Sequence, residues 1–130
     1  MTSSTTNYFA PLEGAQFMVL TTYRANGTAV PTTVWFADAG GTLYITTNVQ
    51  LKKVGRIRAN PAATVAASDR VGTVQGPAIP AQARVLEPAE FPAAEAALRA
   101  KYGDLYATMT AQMDATQPPN SRIFIAVTPP

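Results

Sequence analysis

A chain of 130 residues supports one domain, with a core large enough to fold without covalent staples. It contains no Cys and no His, which removes thiol nucleophiles, thiolate metal sites, the commonest metal ligand and the usual general base. The formal charge of +2 is too small for the broad electrostatic footprint of a dedicated DNA-binding protein.

No apolar run approaches the roughly 20 residues of a membrane span, and the opening MTSSTTN lacks the charged and apolar regions of a secretory signal. A cytoplasmic protein is expected, with no metal, no nucleic acid and no membrane among its partners. Residues 1–12 read as a flexible lead-in, with a little helix near Leu12 to Ala15. Phe17 to Tyr23 (FMVLTTY) is a β-rich run, and Arg24-Ala25-Asn26-Gly27 is a hairpin signal leading into Thr28 to Ala37. Asp38 to Gly41 makes a second turn, and Thr42 to Thr47 a third strand. These three strands are expected to form a meander. A helix follows from Gln50 to Ala59, stopped by Asn60-Pro61, and then a short buried strand from Ala62 to Ser68. Val71 to Leu86 reads as a strand pair or one long bulged strand, interrupted at Gly72, Gly76, Pro77 and Pro80. After Glu87-Pro88 the Ala-rich stretch to Met113 has helical periodicity and divides at Gly103 into two helices. Gln117 to Asn120 is a loop, and Arg122 to Thr128 (RIFIAVT) alternates as a last strand that would close a barrel.

The Gln50–Ala59 helix carries the strongest functional signal. Lys52, Lys53, Arg56 and Arg58 fall within seven positions, and no Asp or Glu occurs between Asp38 and Asp69. Leu51, Val54 and Ile57 share one face at i, i+3 spacing, while Lys52, Lys53 and Arg56 share the opposite one. One face packs; the other points at an anion, with the unpaired amides of the helix start beside it. An ordinary solvated helix face is the competing reading.

The order of these pieces resembles the flavin/deazaflavin oxidoreductase split-barrel superfamily, related to pyridoxamine 5′-phosphate oxidase, and within it the branch that uses coenzyme F420. The resemblance runs from about Phe17 to Val127. It is carried by VLTTYRANGTAVPTTVWF (Val19 to Phe36), LYITTNVQLKKVGRIRANP (Leu43 to Pro61), GTVQGPAIPAQARVLEP (Gly72 to Pro88) and Lys101-Tyr102-Gly103. Where the family has Ser before a Gly-Lys pair, this chain has Leu51-Lys52-Lys53. The resemblance implies a mainly β single domain over residues 1–130, with α-helices: a split β-barrel that forms a homodimer. It further implies that the basic helix holds the cofactor's tail while the ring lies in the dimer groove near the second strand. Lys53 and Arg56 match the family's phosphate positions. Arg58 is assigned either to tail carboxylates or to an internal acid such as Asp69. Thr33, Val34 and Trp35 match the segment whose backbone edges the ring, Thr47 the point where the third strand opens into the phosphate loop, and Gly76-Pro77 a bend beside the ring. Each has a plainer reading: Trp35 as a core aromatic, Thr33 and Thr47 as strand residues, Gly76-Pro77 as a bulge.

The activity implied is hydride transfer from reduced F420 to an activated small-molecule acceptor such as an enone, alkene, imine or tetrapyrrole-like compound. With His absent, a proton would come from water or from Tyr8, Tyr23 or Tyr106. The same fold with FMN, as an oxidase or flavin reductase, and a non-enzymatic cofactor-binding protein are the alternatives. Nucleic-acid binding is disfavoured, because no aromatic stacking platform flanks the basic residues.

Overall fold

The computed structural model describes residues 8–48, 52–116 and 121–130. Seven strands form one antiparallel sheet: β1 (Phe17–Tyr23), β2 (Ala29–Trp35), β3 (Ala37–Ala39), β4 (Thr42–Asn48), β5 (Ala62–Ser68), β6 (Ile79–Val85) and β7 (Arg122–Thr128). Their order across the sheet is β2-β1-β5-β6-β7-β4-β3. Three α-helices accompany them: α1 (Lys52–Ala59), α2 (Phe91–Tyr102) and α3 (Asp104–Thr116). The expected Gln117–Asn120 loop and the first two residues of the expected basic helix, Gln50 and Leu51, lie outside the described residues.

The β1–β2 hairpin turns where Asn26-Gly27 indicates, because Gly27 adopts φ +87° and its N–H donates to Arg24 O at 2.8 Å. The expected meander does not form. β4 pairs with β3 and β7, with Leu43 opposite Val127, and makes no ladder with β2. The chain steps from β2 on one edge of the sheet to β3 on the other through the single residue Phe36. Val71 to Leu86 is likewise resolved into a turn over residues 69–73, an isolated Ser68–Val74 bridge and the single strand β6.

Strand alternation sorts the side chains into two layers. Met18, Leu20, Val34, Leu43, Ile45, Val65, Ile125 and Val127 line the concave interior, joined by Ile57 from α1. Phe9 and Leu12, at 1% and 2% exposed, belong to that interior, so the segment just before β1 contributes to the core from residue 9 onward. On the convex side Ala37, Phe124 and Ala126 pack against Ala94, Leu98, Tyr102 and Tyr106 of the two later helices. Each large apolar side chain removed from water in this way contributes about 1.5–3 kcal/mol.

Lys101-Tyr102-Gly103 fastens the end of α2 to the strands. Phe36 N–H donates to the Tyr102 hydroxyl oxygen at 3.0 Å, and that hydroxyl reaches Gln16 O at 2.6 Å and Phe36 O at 2.7 Å. Lys101 Nζ donates to Ala15 O at 2.7 Å and stands 3.6 Å from the centre of the Phe36 ring. Gly103 then ends α2 with φ +56°.

Candidate functional site

α1 forms where no β-branched run opposes it and ends at Asn60, whose N–H donates to Arg56 O at 2.8 Å before Pro61 stops the helix. Val54 and Ile57 are 2% and 3% exposed, so the helix buries the apolar face that its spacing predicts and packs against β1 and β6. Leu51, the third member of that face, lies outside the described residues.

On the other face Arg56 is held in place. Its Nε donates to Thr22 Oγ1 at 2.8 Å, and Thr22 is 1% exposed at the end of β1. Neither Nη group of Arg56 has a partner among the described residues. Lys53, one turn earlier and half-buried, has its pKa lowered from the usual 10.5, first by burial and then by the neighbouring Arg56 guanidinium. A half-buried cation pair without a counter-charge is unfavourable alone and is relieved by an anion between its members. Three other cations are matched: Arg84 pairs with Glu90, Arg99 with Glu95, and Arg122 with Glu95 and Asp114. Lys53, Arg56 and Arg58 form no ion pair with any described acid.

Arg58 is not brought to the same place. It is exposed and lines a cleft of about 460 Å³ with Arg84, Glu87, Phe91 and Ile123, over β6 rather than β1. Asp69 is not its partner, because that carboxylate accepts Val71 N–H at 3.0 Å and Thr73 N–H at 2.9 Å within its own turn. Thr47 ends the inward row of β4. It is 3% exposed, and its hydroxyl has no hydrogen-bond partner among the described residues. A buried hydroxyl in that state calls for a partner beyond the described protein atoms.

Thr33 and Trp35 face outward on β2 and Val34 faces the core at 8% exposure. β2 is an edge strand, so the backbone groups that face away from β1 are not used in the sheet. Val19 pairs with Thr33 and Phe17 with Trp35. The trio therefore begins roughly 10 Å along β1 from Thr22, at about 3.4 Å per residue. A ligand touching both Arg56 and this edge must be elongated. Gly76 and Pro77 follow the turn, but Gly76 has an ordinary φ, and a Cβ there would meet Ala67 Cβ at 3.8 Å, a normal contact. The glycine with a close neighbour is Gly72: it has φ +90°, and an added Cβ would stand 2.6 Å from Thr33 Oγ1. Pattern reading fell on Gly76 because the Gly-Pro pair is a local signal, whereas the approach of Gly72 to Thr33 is set by tertiary packing. Thr22 was missed too, although a polar residue in the inward row of Met18 and Leu20 is a detectable break in alternation.

Among the three tyrosines named from sequence, Tyr106 Oη is engaged by Glu95 and Arg122 beneath α2 and α3, and Tyr8 Oη donates to Pro80 O at 2.7 Å. Tyr23 lies half-buried on the outer face of β1 beside the hairpin. No group of three or more carboxylates that could hold a metal occurs among the described residues. None of the described helices is long and apolar enough to cross a membrane.

A solved F420 reductase structure is 25% identical, with TM-score 0.56 over 96% of this chain and 94% of that one. A pyridoxamine 5′-phosphate oxidase-like protein from Listeria innocua is 20% identical, with TM-score 0.61 over 93% and 89%. A heme storage protein from Vibrio cholerae shares the fold at 13% identity, with TM-score 0.68 over 91% and 84%. No curated protein matches the chain. The family profile described as pyridoxamine 5′-phosphate oxidase matches residues 4–129, nearly the whole sequence, and has the split-barrel architecture seen here; the chain belongs to that family.

Proposed function

We propose that this protein is an oxidoreductase that binds reduced coenzyme F420 and delivers hydride to an activated small-molecule acceptor, working as a homodimer. The observation that carries the reading is the Lys53–Arg56 pair: two neighbouring cations, one half-buried and one tethered by Thr22, with no acid among the described residues to neutralise them. Thr47, whose buried hydroxyl has no hydrogen-bond partner among the described residues, adds a donor of the kind a phosphate oxygen accepts.

These residues fit an anionic cofactor tail, with Lys53 and Arg56 gripping it and the edge of β2 at Thr33, Val34 and Trp35 lying along the ring. When bound, the reduced deazaflavin supplies the hydride. The chain's own part is placement: it fixes one end of an elongated molecule electrostatically and leaves an uncommitted strand edge for the other. Tyr106 and Tyr8 are engaged elsewhere, which leaves Tyr23 or water to supply the proton. F420 is favoured over FMN because α1 carries Arg58 at a second cleft besides the Lys53–Arg56 pair, and a long polyanionic tail can use cations at both places where one terminal phosphate cannot. The 25% identical F420 reductase supports the same choice.

Side-by-side titration of the cofactor-free protein with F420 and FMN, followed by ring absorbance or fluorescence, tests this. F420 is expected to bind more tightly, with an affinity that falls as salt rises. Equal affinity for the two, or none for F420, overturns the reading.

A further inference from the structure

Trp35, the last residue of the β2 stretch whose edge was assigned above to the cofactor ring, also lines a cleft of about 430 Å³, within the size range of small-ligand sites. Phe17, Trp35, Asp69, Arg70, Gln75 and Leu105 are among the residues that line it. Its aromatic wall is fixed. The Phe17 and Trp35 rings meet edge-on at 5.3 Å between centroids, and the indole is backed by the Tyr102 ring at 4.7 Å. Tyr102 is itself held by its hydroxyl contacts, so the indole is braced from behind.

Arg70 supplies the charge. It is exposed and forms no ion pair with any described acid. Its neighbour Asp69 is occupied by the Val71 and Thr73 amides. The turn carrying Arg70 is seated against β2 where Gly72 meets Thr33, so the backbone of this segment is positioned by the strand. Leu105 is 49% exposed and offers an apolar rim. An aromatic wall, a guanidinium with no described acid paired to it and the apolar side chain of Leu105 together complement a conjugated body with a carboxylate at one end.

We propose that this cleft is the acceptor site, and that it takes planar conjugated carboxylates, with the π system on Trp35 and the carboxylate on Arg70. The assignment as an acceptor site rests on the oxidoreductase reading, while the binding itself depends only on residues of this chain. Trp35 is the only tryptophan, so its emission reports occupancy directly.

The test is titration of the protein with trans-cinnamate and with the uncharged cinnamamide, followed by Trp35 fluorescence, in the wild type and in Arg70→Gln and Phe17→Ala. Cofactor binding is measured on the same samples by F420 absorbance. Saturable quenching by cinnamate is expected, weakened at least tenfold by Arg70→Gln, while that variant keeps its melting temperature and its F420 affinity. Cinnamamide should bind the wild type at least tenfold more weakly than cinnamate and be indifferent to Arg70→Gln. Phe17→Ala should weaken both compounds. Unsaturable quenching, or equal cinnamate affinity in wild type and Arg70→Gln, overturns the proposal. So does emission that changes with protein concentration and not with cinnamate, which assigns the cleft to a second copy of the chain. If F420 binds and cinnamate does not, the acceptor site fails while the cofactor reading stands; the reverse result sinks the cofactor reading and the acceptor role that rests on it, while the carboxylate-binding cleft stands.

Discussion

Lys53 and Arg56 are neighbours on one helix face but differ in what orients them. Arg56 is aimed by a hydrogen bond from its Nε to Thr22, which leaves the outer fork of the guanidinium for a ligand. Lys53 has no such tether among the described residues, and burial makes its charge costly until an anion arrives. Both should therefore contribute to cofactor binding while adding little to the stability of the free protein, since Val54 and Ile57 carry the packing of α1. We expect Lys53→Ala and Arg56→Ala each to weaken F420 binding by about 1–3 kcal/mol, the range for a charge-assisted hydrogen bond, with little change in melting temperature. Lys52→Ala should do much less. If all three variants bind like the wild type, α1 presents only a solvated surface; titrations paired with thermal melts decide the matter.

Elements in this fold are held by contacts at their ends. The hydroxyl of Tyr102, at the last residue of α2, receives Phe36 N–H and donates to one of two backbone carbonyls that flank the strands, Gln16 O or Phe36 O. Tyr102→Phe keeps the ring stack on Trp35 but leaves a buried amide without its acceptor, which should cost about 1–3 kcal/mol in denaturant unfolding. The turn before α2 shows a pH-dependent counterpart. Arg84 grips Glu90 through two bonds of 2.9 and 2.7 Å, which with the Glu87 amide holds the Glu90 carboxyl down to about 2 from 4.5. A depressed carboxyl pKa gives stability that is present above about 4.5 and is lost as pH falls toward about 2. Denaturation midpoints at pH 6 and pH 3 should thus differ more in the wild type than in Glu90→Gln. Most elements were legible in the sequence: the Asn-Gly hairpin, the break at Gly103 and the alternating RIFIAVT each carry their signal locally. Pairing was not. Nothing near Leu43 indicates that its partner is Val127, and a meander is the default only when neighbours in sequence are taken as neighbours in space. The site divides the same way. Lys53 and Arg56 stood out through charge and the absence of nearby acids, whereas Arg70 gains its meaning only once Phe17 and Trp35 are folded beside it.

For the molecule as a whole, α2 and α3 cover the outer surface that carries Ala37, Tyr44, Phe124 and Ala126 and reach β2 at Trp35. The outer faces of β1 and β2 keep Val19, Thr21, Tyr23, Ala29 and Pro31 half-buried or exposed, a row of small, β-branched and aromatic residues. A sheet surface of that composition is suited to a second copy, and a homodimer is expected by light scattering at micromolar concentration; a species of monomer mass alone would count against it. The passage from β2 to β3 has a different consequence. These strands border opposite edges of one sheet, so the wall they complete contains a seam crossed by Phe36 and fastened by the Tyr102 hydroxyl. Parting that seam strains side-chain contacts while sparing every rung of the ladder, so breathing of the wall should be least costly along it. Amide hydrogen exchange should register this at the free edge of β2 sooner than in the middle strands β5 and β6, and sooner still once the Tyr102 hydroxyl is removed.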